Sequence, residues 1–270
     1  MRELSLREIQ IQSLEILMDI DSVCRRGSVE YCIIFGTLIG AIRHGGFIPW
    51  DDDIDIGMTR ANYNKFLSLY EKKGRFRIVN PQSELRCPYM ISRISDDRFR
   101  LETNYGPKYM IGTFVDVYPY DGIGDSDMSM DKIVKLSSHY SKGLSRSLER
   151  NPLLSVKDLH RGIKKWALLV TYLLPKIRGA NYYRKKLAEL TEMYSYTESE
   201  YIGCAIWALA KKECARKKWL EETIDIEFEG MTVMAPKYYD EMLKCTFGDY
   251  MELPPVKERV GHHFYKIYEV

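Results

Sequence analysis

The chain has 270 residues, 40 Lys and Arg against 38 Asp and Glu for a net charge of +2, and 45% hydrophobic residues. That is enough apolar material for one large domain or a domain with a helical extension. The net charge by itself excludes neither a polyanion nor a neutral partner, but no strongly basic domain of the kind that dominates nucleic-acid binders occurs, so no nucleic-acid partner is expected. Six scattered cysteines with no CxxC pair argue against a zinc cluster and for reduced, mostly buried thiols. MRELSLREIQIQSL lacks an apolar signal core and no run of 18 apolar residues occurs, so the expected location is the cytoplasm.

Ser5 and Glu8 fit a capping box for a helix to Arg26, with Leu6, Ile9, Leu14, Leu17, Ile20 and Val23 at helical spacing. Val29 to Phe35 reads as a strand and Gly36 to Arg43 as a glycine turn leading into a short helix, whose N-terminus suits a phosphate. His44-Gly45-Gly46 is a loop that can approach a ligand closely, and Pro49-Trp50 a turn. Asp51, Asp52, Asp53 and Asp55 then fall within five residues. On a strand, the alternation Asp53-Ile54-Asp55-Ile56 puts both carboxylates on one face and both isoleucines in the core. Crowded carboxylates raise each other's pKa unless a cation neutralises them. Side-by-side hard oxygens suit Mg²⁺ or Mn²⁺.

Ile54 to Met58 is therefore expected as the next strand, Thr59 as the cap of a helix through Tyr70, and Phe76 to Val79 as a short strand. Tyr89 to Ser95 and Arg98 to Leu101, split by Asp96-Asp97, resemble a hairpin. Thr113 to Val117 is a strand with Asp116 between two valines. A satisfied core aspartate is the plain reading of Asp116; beside a metal-binding pair, a third ligand or general base is the better one.

From Ser126 to about Tyr196 the composition is helical, with breaks near Asn151-Pro152, Pro175 and Gly179. Lys157 to Lys186 carries nine Lys or Arg against one Asp around an apolar stretch, Trp166 to Leu174, too short to span a bilayer. A solvated helix face is the plain reading of this segment, and peripheral docking on an anionic membrane the sharper one. Ile224 to Val233 reads as a hairpin turning at Glu229-Gly230, and Pro236 as the opening of a helix that ends near Gly248.

An EF-hand counted from Asp51 would need Gly and Glu where Ile56 and Asn62 stand, and neither GxxxxGK[ST] nor GxGxxG occurs. Gly36-Thr37 followed by a D-x-D and a later strand aspartate instead specifies two-metal phosphoryl or nucleotidyl transfer. His44 is either a surface residue or a phosphate or substrate contact, and Arg43 either a partner for a core carboxylate or an anion clamp. His262-His263 has no partner at metal-ligand spacing.

GTLIGAIRHGGFIPWDDDIDIGMTRANYNKF resembles the signature of the LicD family, bacterial phosphocholine transferases related to the fukutin-type ribitol-phosphate transferases. FVDVYPYD and FEGMTVMAPKYYDEMLKCTFGDYMELPP resemble the same family, while about Asp127 to Tyr196 carries no matching motif. The resemblance implies an α+β, nucleotidyltransferase-like mixed sheet flanked by helices, with a helical insertion. It implies transfer of a phospho-alcohol from a CDP-activated donor to a sugar hydroxyl of a glycan or lipid-linked glycan, with release of CMP. Asp53 and Asp55 match the family's metal-binding D-x-D, Gly36 and Thr37 its donor-phosphate motif, Asp51 a further acid, and Asp116 the third acid of the fold. Ile39 stands where the family often has leucine. The expected division is a catalytic core at 1–125, a helical region at 126–200, and a part at 201–270 completing core and substrate site.

The donor alcohol stays open between choline, ribitol and glycerol. Choline wants an aromatic cage, for which Trp50, Tyr118, Trp207 and Tyr250 are candidates. A D-x-D glycosyltransferase, a nucleotidyltransferase releasing pyrophosphate, and an inactive binding module are the competing readings.

Overall fold

A computed structural model describes residues 1–70, 74–103, 109–149, 163–261 and 265–270, with the backbone alone at 163–170. The chain runs β1 (Arg2–Glu3), α1 (Leu6–Gly27), β2 (Cys32–Ile33), α2 (Phe35–His44), β3 (Asp55–Thr59), α3 (Arg60–Leu69), β4 (Phe76–Val79), β5 (Ser92–Asp96), β6 (Phe99–Thr103) and β7 (Phe114–Gly122). It continues α4 (Asp127–Leu148), α5 (Ile163–Arg178), α6 (Ala180–Thr191), β8 (Tyr201–Gly203), β9 (Ala215–Arg216), α7 (Lys217–Glu221), β10 (Thr223–Phe228), β11 (Met231–Pro236), α8 (Tyr239–Phe247) and β12 (Tyr265–Glu269).

The central sheet is mixed, in the order β2-β3-β7-β5-β4, with β8 and β9 added beside the far end of β7. Strands β3 and β7 are parallel, and the remaining pairs along the path are antiparallel. The fold is therefore α+β, as expected. Period-two alternation sends Ile54, Ile56, Val115 and Val117 to one face, where they pack with Ile16, Leu17 and Ile20 of α1 and with Phe228 and Val233 of the β10–β11 hairpin. The other face carries Tyr118 and Tyr120, which pack with α4, α6 and the β8 region through Ile133, Leu144, Leu187 and Ile202. The residues after 201 thus return to both faces of the sheet.

The α1 capping box forms as read, with Ser5 Oγ accepting from Glu8 N–H and the Glu8 carboxylate accepting from Ser5 N–H. Thr59 caps α3, and five of the six cysteines are buried. Several readings need correction. The stretch Val29 to Phe35 pairs only at Cys32–Ile33, because Phe35 already opens α2. Strand β3 starts at Asp55, one residue later than expected, and β7 runs on to Gly122. The segments taken as a hairpin across Asp96-Asp97 do not pair with each other: β5 lies between β4 and β7, whereas β6 pairs with β12 in a small sheet completed by β1. Asp96 explains the divergence, since its buried carboxylate holds Arg75 and Arg98 and turns the chain between two sheets. Pro236 ends β11 rather than opening α8. The expected break at Asn151-Pro152 and the pair His262-His263 lie outside the described residues.

Candidate active site

Three neighbouring strands place one residue each in a row. In the parallel register of β3 and β7 Asp55 stands opposite Asp116, and in the antiparallel register of β5 and β7 Asp116 stands opposite Arg93. Alternation turns all three toward the face that carries Tyr118. Asp116 accepts from Arg93 Nε through Oδ1 and from a terminal guanidinium nitrogen at 3.0 Å through Oδ2. Arg93 also donates to Tyr109 Oη at 2.6 Å and stacks between the rings of Tyr89 and Phe114. Burial opposes its charge, and Asp116, Tyr109 and Tyr89 together outweigh that opposition, so the guanidinium stays protonated.

Asp55 is only 8% exposed, and its Oδ1 is buried with no hydrogen-bond partner. Burial, followed by the charges of Asp53, Asp116 and Asp51, pushes its carboxyl well above the ordinary range. A buried carboxylate oxygen without a donor is a costly arrangement in a protein interior and a good one for a hard cation. Asp51, Asp52 and Asp53 add to it: one carboxylate oxygen from each lies within 4.8 Å of the others. Asp53 reaches this group from irregular backbone ahead of β3, not from the strand face shared with Asp55 that the alternation predicts. The oxygen-only donor set fits Mg²⁺ or Mn²⁺. Asp51, Asp52 and Asp53 lie close enough together to share one ion, and the donor-less oxygen of Asp55 is a further candidate ligand.

The acid loop is braced from three sides. Asp51 N–H donates to Ile48 O at 2.9 Å across the Pro49-Trp50 turn, and Gln10 Nε2 of α1 donates to Asp51 O at 2.8 Å. Tyr265 of β12 donates its phenol to Asp52. Thr37 Oγ1 accepts Asp55 N–H at 2.9 Å, so the first turn of α2 is tied directly to the start of β3. A Cβ at Gly36 would come within 2.6 Å of Asp51 Oδ2; only glycine lets that carboxylate lie against the N-terminus of α2. Immediately before it Phe35 has φ +50°, a left-handed conformation that a bulky residue adopts under strain. Ile34 ahead of it supplies no side-chain cap. A phosphate at this helix end would meet both its N–H groups and the Asp51 carboxylate.

Arg43 and His44 are not brought to the acids. They sit on the last turn of α2, about 10 Å along the helix from Gly36. There Arg43 donates to the carbonyls of Tyr250 at 2.7 Å and Glu252 at 3.2 Å, and its Nε to His44 Nε2. Burial, with Arg259 nearby, lowers the Arg43 value, and burial with Arg43 lowers that of His44. Gly45 caps the helix at φ +67°. Of the aromatic candidates, Tyr118 and Trp207 meet edge to face at 5.6 Å, and Tyr89 is 5.0 Å from Trp207. Trp50 lies instead under Arg259, and Tyr250 donates to Asp240. Sequence reasoning counted Asp52 in the run of acids but gave it no role of its own, and it missed Tyr265 and above all Arg93. The signal for Arg93 was weak: it stands between Ser92 and Ile94 in an expected strand, where an arginine is uncommon but not set in an apolar run.

A mixed sheet with acids gathered where a short helix meets its central parallel pair defines a nucleotidyltransferase-type domain. Residues 28–147 match the family model for the LicD/FKTN/FKRP nucleotidyltransferase domain. The chain is 30% identical over 99% of both sequences to the lipopolysaccharide cholinephosphotransferase LicD of Haemophilus influenzae. Uncharacterized proteins of Rickettsia typhi and Rickettsia prowazekii are each 43% identical over shorter stretches, 27% and 22% of this chain and 24% of their own lengths. The chain belongs to the LicD family.

Proposed function

We propose that this protein is a phosphotransferase that moves phosphocholine from CDP-choline to a sugar hydroxyl of a cell-surface glycan such as lipopolysaccharide. The choice of choline rests on the name of the Haemophilus relative; CDP-ribitol and CDP-glycerol are the alternative donors for the same site. The observation that carries the chemistry is the buried, donor-less Oδ1 of Asp55 beside Asp51, Asp53 and Asp116.

Bound Mg²⁺ or Mn²⁺ would supply positive charge to the donor diphosphate and to the leaving CMP. The protein's part is orientation and proton transfer. The acceptor oxygen bonds to the phosphorus that carries choline. The bond from that phosphorus to the bridging oxygen breaks, and CMP leaves with the electron pair. The hydroxyl proton passes to Asp116, whose carboxylate keeps lone pairs beyond the two bonds to Arg93. Thr37 and the first N–H groups of α2 orient non-bridging oxygens.

The test is CMP release from CDP-choline, CDP-ribitol and CDP-glycerol with Mg²⁺ or Mn²⁺, then with EDTA, in the presence of candidate glycan acceptors. Release from one donor, abolished by EDTA and reduced at least about a hundredfold in Asp53→Asn, is the expected result. A readout free of turnover accompanies it. Saturating Mg²⁺ should raise the wild-type melting temperature by about 5 °C and leave Asp55→Asn unmoved. Full turnover by Asp53→Asn, or none from any donor, would sink the proposal.

A further inference from the structure

The helical region offers a surface that the chemistry above does not use. Helix α5 ends in the sequence Tyr172-Leu173-Leu174-Pro175-Lys176-Ile177-Arg178. Leu173, Leu174 and Ile177 are 60%, 52% and 74% exposed, whereas Pro175 between them is buried. At about 100° per residue, Leu173, Ile177 and Leu174 cover one arc of about 100°. Pro175 points to the opposite side, where α5 packs on α4 and α6. The inward side is thus satisfied by protein, and the outward side is an apolar stripe.

Cations flank the stripe on both sides. Lys176 falls on one border, with its ammonium on the carbonyl of Glu149 at the end of α4. Arg178 falls on the other border, its guanidinium over the ring of Tyr182 at 5.1 Å. Both anchors keep the charge at the base of the apolar arc, where long basic side chains sit when a helix lies at a lipid headgroup layer. The sixteen residues of α5 include no acid. No helix among the described residues is long and apolar enough to cross a membrane. Three large aliphatic side chains on a single arc form an apolar stripe rather than scattered exposed residues, and an anionic surface is the complement of the surrounding positive charge.

We propose that the Leu173–Leu174–Ile177 face of α5 docks on an anionic lipid bilayer, lying in its plane with Lys176 and Arg178 at headgroup level. Docking would hold the catalytic domain at the membrane surface. It stands apart from the donor chemistry and would survive a different assignment of the transferred group.

The test uses the full chain and sedimentation with two sets of vesicles, pure phosphatidylcholine and phosphatidylcholine with about a quarter phosphatidylglycerol. Expected are binding to the anionic set that weakens as salt rises, and at least about tenfold weaker binding to the neutral set. Ile177→Ser with Leu173→Ser, and separately Arg178→Glu, should each lower anionic-vesicle binding at least about tenfold. The circular dichroism, melting temperature and metal-induced thermal shift of these variants should stay at wild-type values. Wild-type binding by the serine variant, or no preference for anionic vesicles, overturns the proposal. So does a concentration-dependent doubling of mass that the serine variant abolishes, since a second copy would then be what covers the face.

Discussion

The two ends of strand β7 solve the same problem in opposite ways. Toward one end Asp121, with a side chain 1% exposed, is held by Arg60 through two bonds of 2.7 and 2.8 Å. Toward the other Asp116 is held as closely by Arg93, yet Asp55 stands in the next strand with a buried oxygen that no donor meets. A buried carboxylate with its arginine is a closed structural unit, and one more carboxylate than the arginine can serve is an open one. The difference teaches that burial and charge alone do not mark a site on this sheet; the imbalance does.

Breaking each pair measures that difference. Arg60→Met and Arg93→Met should both destabilise the fold by about 3–5 kcal/mol, since each leaves a buried carboxylate uncompensated. Only Arg93→Met should regain part of its loss in Mg²⁺, because only there can a cation replace the guanidinium. Chemical denaturation with and without Mg²⁺ reads both, and equal rescue at the two ends would erase the distinction.

Gly36→Ala sharpens the comparison at the acid end. The added methyl displaces the Asp51 carboxylate from the start of α2 while sparing the Arg60–Asp121 end. Turnover should fall about tenfold with a melting temperature close to wild type, measured on one preparation. A variant as active as wild type would mean that the position of Asp51 is immaterial.

The smallest effect lies far from both ends. The Glu8 carboxyl is lowered to about 2 by the Ser5 N–H, the Ser5 hydroxyl and Arg2. A depressed acid adds stability above its ordinary value, and the gain disappears as pH falls through the folded value. The melting temperature of Glu8→Gln should therefore lie slightly below wild type at pH 7, with the gap closing between about pH 5 and pH 2. A gap that widens in acid would reverse the sign of this reading.

How much was legible follows from range. The capping box at Ser5, the Glu229-Gly230 turn, the Phe76–Val79 strand and the run of acids are local patterns, and local physics places them. The pairing of β6 with β12 instead of β5 was not legible, because nothing near Asp96-Asp97 reveals the distant arginines that bend the chain there. The candidate site divides the same way. The proximity of Asp55 to Asp116 depends on a parallel register between strands about sixty residues apart; the lone strand aspartate hinted at it and the resemblance to a family supported it, but no local pattern sets that register. The reading of Arg43 and His44 as ligand contacts came from neighbourhood in sequence; a helix carries them a full ten ångström away from the glycine turn, roughly.

The bond from Tyr265 to Asp52 has a consequence for how the protein is made. About four fifths of the sequence separates the two residues, and β12 is fixed in place by strands drawn from residues 2–3 and 99–103. A nascent chain that has emerged as far as β7 already holds Asp55, Asp116 and Arg93, but its acid loop still lacks this brace. The ribosome must deliver residue 265 before the loop is fully clamped, so the acid loop is among the last parts of the molecule to mature.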